Sequence, residues 1–457
     1  MRAEEASSGR RRVVIVGGGF GGVAAAHGLH RAEVDVTVVD RTNHQTFQPL
    51  LYQVATGAIS GGECASAIRA MLKRQANASV LMAKVTDFDV ERRQVLLDTG
   101  RALDYDSLIV SCGAETSYFG HDEWADFSFG LKTLTDATSL RERIFGALER
   151  AERAMDPAER DEWMTFAVIG GGPTGVEVAG QLAVLTRHLI RRDYSRIDTR
   201  NARVILIDAG DRVIPAFRER LSARAAKELE SLGVTIRERA MATAIDEHGV
   251  EVKVGDETER IAARTVIWAA GVQAAGVAGA LARATGAETD RAGRIHVRPD
   301  LTIEGRPEIS VIGDVASVAD EDGQPLPGLA TTAIQEARHV AKAIRRGQPG
   351  ASEPFRYFDK GALAVVGRGR AVCEFRGHGF AGPLAFVTYL GVHLYYLGGV
   401  GGRRLRVIAA WATTGFGALA GMAIEGELPA DRVSERALPP SEQTSADRGA
   451  PWETSAH

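Results

Sequence analysis

An α/β fold built from two dinucleotide-binding units is what this chain predicts, on three observations. The same glycine turn occurs twice, as Gly17-x-Gly19-x-x-Gly22 and Gly170-x-Gly172-x-x-Gly175, each between a short apolar strand and a helix-like stretch. Each turn is followed by a second apolar strand ending on an acid, Val34–Val39 before Asp40 and Val204–Ile207 before Asp208. Late in the chain, no Asp, Glu, Lys or Arg lies between Arg376 and Arg403, nor between Arg406 and Glu425. The expected architecture is two Rossmann-like domains, the second inserted in the first, plus a C-terminal segment for membrane association or dimerisation.

In each turn the first glycine lets the strand reverse sharply and the second lets the backbone approach a pyrophosphate. The third lets the helix pack close to the sheet. The helix N-terminus offers unpaired N–H groups and a positive dipole end to the phosphates. One such motif alone also fits a glycine-rich turn without a ligand. The acid at the second strand end, placed to accept from an adenosine ribose, favours a bound dinucleotide at both turns. Two dinucleotides held together point to a flavin and a diffusible nicotinamide, and so to an oxidoreductase.

The halves repeat beyond their glycines. Asp87 to Asp98 alternates like a hairpin, and the buried strand Leu108–Val110 ends at Ser111-Cys112-Gly113. Ala244 to Asp256 carries a His248-Gly249 turn between alternating runs, and Thr265–Trp268 ends at Ala269-Ala270-Gly271. Both read as hairpin, then strand ending in small residues. A third apolar strand, Ile309–Ile312, runs into Gly313-Asp314 with no fingerprint of its own, so it completes the first domain. The expected layout is a polar tail over 1–12 and a discontinuous first dinucleotide-binding domain over 13–125 and 295–360, which the resemblance given below makes the FAD-binding domain. A second dinucleotide-binding domain over 160–290, by the same resemblance the NADH-binding domain, a membrane-anchoring domain over 361–427 and a disordered tail over 428–457 complete it.

Composition agrees with a folded chain of two or three domains, since 457 residues carry 45% apolar and 25% charged side chains. A net charge of −4 with no basic stripe gives no reason to expect a nucleic-acid partner. Cys64, Cys112 and Cys373 form no C-x-x-C pair, which argues against a disulfide framework, a zinc site or a dithiol centre. They read as small buried hydrophobes, and no metal is expected. Met1 to Arg12 holds no apolar run of a secretory signal, which places the chain in the cytosol or on its face of a membrane.

Three further segments are more particular. They are Asn43-x-x-x-Phe47-x-Pro49-Leu50-Leu51-Tyr52-Gln53-Val54-Ala55-Thr56-Gly57, Lys360-Gly361-x-Leu363-Ala364-x-x-Gly367-Arg368, and His393-Leu394-Tyr395-Tyr396-Leu397. Together with both glycine turns and Gly313-Asp314, they make the chain from about Arg11 to Gly421 resemble the type II NADH:quinone oxidoreductases. The resemblance implies FAD and NADH as cofactors. It assigns Gly17, Gly19, Gly22, Asp40 and Asp314 to FAD, with Asp314 on the ribityl chain, and lays the segment holding Pro49 and Tyr52 along the flavin. Gly113, Ala330 and Thr331 are further cofactor contacts on the same ground. Gly170, Gly172, Gly175, Asp208 and Gly271 fall to the nicotinamide dinucleotide. Asp208 favours NADH, because a carboxylate repels a 2′-phosphate but accepts from a free 2′-hydroxyl. Arg212, four residues on, is near enough to relax that preference.

Two positions are catalytic candidates by the same resemblance. Glu177 follows the third glycine of the second unit, where an acid also simply suits the helix dipole. In relatives this glutamate lies near flavin and nicotinamide, able to orient the nicotinamide or relay a proton. Gln335 is the second glutamine of an acceptor-site motif resembling Ala-Gln-x-Ala-x-Gln, with Thr331 in place of the first. Thr332-x-x-Gln335 reads equally as a capping box. A helix starting there and facing the flavin would stabilise charge on the reduced ring. Ser111-Cys112-Gly113 and Ile59–Ser66 depart from the family pattern, which leaves the identity of the quinone open.

In the uncharged C-terminal stretch, Phe386, Tyr389, Leu390, His393, Leu394 and Leu397 lie at helical spacing. Tyr389, Tyr395, Tyr396 and Trp411 suit lipid headgroups, and Arg403, Arg404 and Arg406 suit their phosphates. A helix lying in one leaflet, a packed core or dimer interface, and a transmembrane hairpin all stay open. Gly398-Gly399 and Gly401-Gly402 interrupt the last. The expected function is NADH oxidation by bound FAD with two-electron reduction of a membrane quinone and no proton pumping. The protein is expected to be a homodimer on the cytoplasmic face of the cell membrane, held peripherally through 380–421. A soluble flavin reductase serving an electron carrier, and a redox-sensing FAD/NADH-binding interaction protein, are the alternatives.

Overall fold

The computed structural model describes residues 9–321, 323–348, 350, 353–397 and 402–415. The tail expected to be disordered, 428–457, lies outside them.

β1 (Arg11–Val16) is a Val/Ile run whose last four residues are buried, and it leads through the first glycine turn into helix α1 (Phe20–Gly28). β2 (Val34–Asp40) pairs with it in parallel, Val13 opposite Val36. β3 (Ser107–Val110), buried throughout, pairs on the other side. The finished sheet has six strands in the order Thr302–Ile303, Arg306–Val311, β3, β1, β2, Ala78–Met82. Its late strand Arg306–Val311 lies parallel to β3, Ile309 opposite Leu108, as expected of the strand entering Gly313-Asp314. Helix Ala330–Arg345 covers α1, with Ala337, Val340, Ala341 and Ile344 in one core with Val23 and Ala26.

Between these stretches the chain repeats the plan. β4 (Ala114–Thr116) leaves the first sheet directly after β3. β5 (Thr165–Ile169) leads through the second glycine turn into α2 (Pro173–Val184). β6 (Arg203–Ile207) and β7 (Thr265–Trp268) flank β5 in parallel, giving a five-stranded sheet in the order Ser128–Phe129, β7, β5, β6, Val234–Arg237. β8 (Val272–Ala274) then crosses back and pairs antiparallel with β4, Glu115 opposite Gln273. This ribbon ties the two sheets together. Both anticipated hairpins form, Val85–Asp89 with Gln94–Leu97 and Ala240–Asp246 with Gly249–Val254.

After α3 (Ala330–Arg345), a three-stranded antiparallel sheet, Ala362–Gly367, Arg370–Phe375 and His378–Ala381, supports α4 (Pro383–Tyr396). α5 (Arg403–Gly415) follows. No helix among the described residues is long and apolar enough to cross a membrane. α4 is apolar on two sides. Its inward stripe of Phe386, Tyr389 and Leu390 packs on Val365, Ala371 and Cys373, while Leu384, Val387 and Tyr395 stand exposed on the other.

Candidate active site

Both glycine turns meet their physical demands. Gly17 (φ 99°) and Gly170 (φ 110°) leave their strands in the left-handed region. A β-carbon on Gly17 would lie 2.4 Å from Ser111 O, and one on Gly170 would lie 2.6 Å from Ala269 C. On Gly22 or Gly175 it would lie 1.8 Å from the carbonyl of Gly17 or Gly170, so the helix sits on its own turn only because these residues are glycine. Gly19 and Gly172 instead face open space, where an added β-carbon would meet no described atom beyond its own chain neighbours within 4 Å. α1 and α2 start there without a side-chain cap. Their first-turn N–H groups are therefore available to an anion.

The strand-end acids have an additional job that sequence reasoning missed. Asp40 accepts from Gly18 N at 2.6 Å, and from Thr42 N and Oγ1 at 2.7 and 2.8 Å. Asp208 accepts from Gly171 N at 2.5 Å and from Gly210 N at 2.7 Å. Each carboxylate thus braces the middle of its own glycine turn. A carboxylate offers about four lone-pair sites, so both retain capacity for a ribose hydroxyl. Open backbone, free helix N–H groups and an acceptor at the strand end fit a dinucleotide in each cradle. Arg212 does not reach Asp208; it donates to Pro215 O at 3.1 Å.

Asp314 follows the late strand at the same edge of the first sheet, beside Gly328. Lys132 pairs with it at 3.5 Å, a long-range contact that no motif announced. Gly313 turns with φ 75° and donates to the Glu336 carboxylate at 2.6 Å. Burial, with Asp314 nearby, pushes Glu336 up to about 7. Gly113 (φ 71°) and Gly271 each lie three residues beyond the ends of β3 and β7, flanking the two cradles. The space above Gly113 is open, whereas the Phe119 ring lies over Gly271.

Pro49, Tyr52 and Glu177 come together. Tyr52 is buried on the short helix Leu51–Ala55, which packs against α2. Its hydroxyl accepts from Gln53 Nε2 at 3.0 Å and lies 3.3 Å from that of Tyr389, which donates to Pro49 O at 3.3 Å. Burial raises both phenols, and the nearby Glu177 carboxyl adds to the effect, so they stay protonated donors. Glu177 accepts from Val365 N at 3.4 Å, and burial pushes it up to about 8.

Gln335 does not join this group. Its amide donates to Thr331 O and Phe358 O and accepts from Phe358 N, each at 3.1 Å. The capping box at Thr332 is not formed. Extended Leu329 is the N-cap, Ala330 and Thr331 open α3, and the Thr332 hydroxyl is buried with no hydrogen-bond partner among the described residues. Once the helix starts at Ala330, Thr332 lies inside its first turn, where it cannot cap.

Among the C-terminal aromatics and arginines, Tyr389, Tyr396, Trp411 and Arg403 need correction, whereas Tyr395, Arg404 and Arg406 stand exposed as expected. Tyr389 is fully buried, Trp411 donates to Gln53 Oε1 at 2.7 Å, and Tyr396 accepts from Lys360 at 2.9 Å. Of the four aromatics only Tyr395 stands exposed. Arg403, 2% exposed, donates to Glu63 O, Cys64 O, Leu397 O and Ser66 Oγ rather than meeting solvent. Apolar neighbours and backbone carbonyls have claimed groups that their chemistry alone would have assigned to lipid.

Comparison with known proteins agrees with this geometry. Residues 11–337 match the family model of the pyridine nucleotide-disulphide oxidoreductases. The type II NADH:quinone oxidoreductase Ndh of Mycobacterium tuberculosis is 45% identical over 403 residues, 86% of each chain. Its second such enzyme, NdhA, is 42% identical over 421 residues, covering 90% of this chain and 88% of that one. Among solved structures, NDH2 from Plasmodium falciparum in complex with NADH shares the fold. It superposes with a TM-score of 0.82 at 20% identity, over 89% of this chain and 98% of that one. Paired glycine cradles, a ribbon between them and this extent of identity place the chain among the type II NADH:quinone oxidoreductases of the pyridine nucleotide-disulphide oxidoreductase family.

Proposed function

We propose that this protein oxidises NADH with bound FAD and delivers two electrons to a membrane quinone without pumping protons. The observation that carries the reading is the pair of cradles, each braced by its own strand-end acid and linked by the β4–β8 ribbon. Bound FAD supplies the redox chemistry, taking hydride from NADH and returning the electron pair to the quinone. The first cradle, through Gly17, Gly19, Gly22 and Asp40, holds FAD, with Asp314, Gly113 and the start of α3 at Ala330 and Thr331 completing it. The second, through Gly170, Gly172, Gly175 and Asp208, holds NADH, and the Asp208 carboxylate disfavours a 2′-phosphate.

Glu177 serves as the proton donor on the acceptor side. Its raised pKa keeps it protonated at neutral pH, close to the Tyr52–Tyr389 phenols. Gln335 shapes the acceptor pocket by clamping the backbone at Phe358. Leu384, Val387, Tyr395, Leu405 and Ile408 form an exposed apolar face on α4 and α5, which supports peripheral contact with the cytoplasmic face of the cell membrane. The same face would otherwise serve a homodimer, and sedimentation without lipid separates the two uses. Anaerobic NADH should bleach the bound flavin, and a soluble quinone analogue should restore its colour. Flavin that stays reduced in the presence of quinone would refute the proposal.

A further inference from the structure

Phe119 has no role in the chemistry above, yet its conformation demands one. Its φ of 54° lies in the left-handed region that favours glycine, and 66% of its surface is exposed. A bulky apolar side chain in that backbone state and turned outward gains little from the core, so packing alone does not account for it. The ring is nonetheless held. It lies over Gly271, where an added β-carbon would come within 2.4 Å of Cζ, and meets Trp268 edge-on with centroids 6.2 Å apart. Trp268 is itself fixed by donating to Ser117 O at 2.8 Å and by packing on Tyr118 and Trp124.

The order of strands tells which part of a dinucleotide would meet this platform. Asp208, at the end of β6, marks the adenosine ribose, and the turn after β5 marks the pyrophosphate. β7 lies on the other side of β5 from β6. A dinucleotide laid across this edge therefore runs from β6 past β5 to β7, and its third stop is the nicotinamide half. Gly271 lies just past the end of β7, three residues after Trp268, and Phe119 covers it. We propose that Phe119 packs against the nicotinamide ring and orients it, as an exposed ring braced by Trp268. This deepens, and rests on, the reading of the second cradle as the NADH site.

The test uses the FAD-loaded protein and two substitutions, Phe119→Gly, which suits the left-handed backbone, and Phe119→Tyr. Binding of NAD⁺ is compared with that of ADP-ribose, which lacks only the nicotinamide, alongside KM for NADH and for a soluble quinone. Phe119→Gly should weaken NAD⁺ and raise KM for NADH by roughly 2- to 12-fold, the worth of one aromatic contact. ADP-ribose affinity, quinone KM and melting temperature should hold, and Phe119→Tyr should restore NAD⁺ binding. Unchanged NAD⁺ affinity, or equal loss for both ligands, would overturn the assignment. Wild-type protein that binds neither ligand would overturn the reading of the cradle instead.

Discussion

Arg403→Met removes the buried guanidinium that fastens α5 to the segment next to the proposed flavin site. The arginine donates to three carbonyls, Glu63, Cys64 and Leu397, at 2.8, 2.6 and 3.1 Å, and to Ser66 Oγ at 2.8 Å. Methionine fills much of the space and strands three of the four acceptors, since Cys64 O keeps its bond from Phe47 N at 2.9 Å. Each buried acceptor left unpaired costs about 1–3 kcal/mol, so the gross loss is on the order of 6 kcal/mol. Part is offset, because burial holds the guanidinium down to about 10 from 12.5. A folded-state pKa lowered for a cation means its charged form is disfavoured in the protein; that penalty, on the order of 3 kcal/mol, vanishes with the charge. The net expectation is about 2–4 kcal/mol of destabilisation. Arg403→Lys keeps the charge but cannot fan out to four acceptors on separate segments, and should recover less than half. Urea unfolding would read the global change, and hydrogen exchange should show faster opening of 61–67 and 403–412. An Arg403→Met protein within about 0.5 kcal/mol of wild type, with unchanged exchange there, would refute the reasoning.

Other outcomes follow from the same geometry. Glu177 is protonated below its raised pKa of about 8 and loses its proton as pH rises through that value. Quinone reduction should therefore fall on the alkaline side, and Glu177→Gln should lower turnover and flatten that limb, as steady-state pH profiles will record. Asp208→Asn weakens the brace on Gly171 and Gly210. KM for NADH should rise about 10-fold or more, a charge-assisted hydrogen bond being worth about 1.5–3 kcal/mol, while discrimination against NADPH shrinks. Gly180→Ala would put a β-carbon 1.7 Å from Val366 O on the strand that also holds Glu177. It should cost about 3 kcal/mol or more of stability, measurable as a lower melting temperature. Leu384→Asp with Val387→Asp should abolish flotation with anionic liposomes while leaving turnover with a soluble quinone intact.

Much of the fold was legible because its rules are local. Gly17 and Gly170 must turn where they stand, Val and Ile must run in parallel-sheet strands, and the small residues after β3 and β7 let the chain cross over as the ribbon. Even the return of Arg306–Val311 could be foreseen, since a strand entering Gly313-Asp314 without a glycine turn has no unit of its own to start. The braces were not legible. Asp40 to Gly18 and Asp208 to Gly171 depend on how a strand end faces the neighbouring turn, and spacing is silent on that. Lys132 beside Asp314, Tyr52 beside Tyr389 and Arg403 beside Glu63 are meetings between distant stretches, and they carry no motif.

The C-terminal stretch shows where pattern reading loses direction. Absence of charge reports that a helix avoids bulk water, but lipid and protein core satisfy that condition equally. α4 divides between the two. Tyr389 turns inward because the strands Ala362–Gly367 and Arg370–Phe375 offer Val365, Ala371 and Cys373 on one face, and because Tyr52 waits for its hydroxyl. Leu384, Val387 and Tyr395 meet no such surface and remain outside. Arg403 obeys the same logic from the polar side. An arginine next to an apolar helix reads as a lipid-phosphate ligand until three backbone carbonyls at Glu63, Cys64 and Leu397 are found aimed at it. The helices that present the apolar face are thus bolted, through Arg403, Trp411 and Tyr389, to the segment Phe47–Ser66. Loosening either end should be felt at the other.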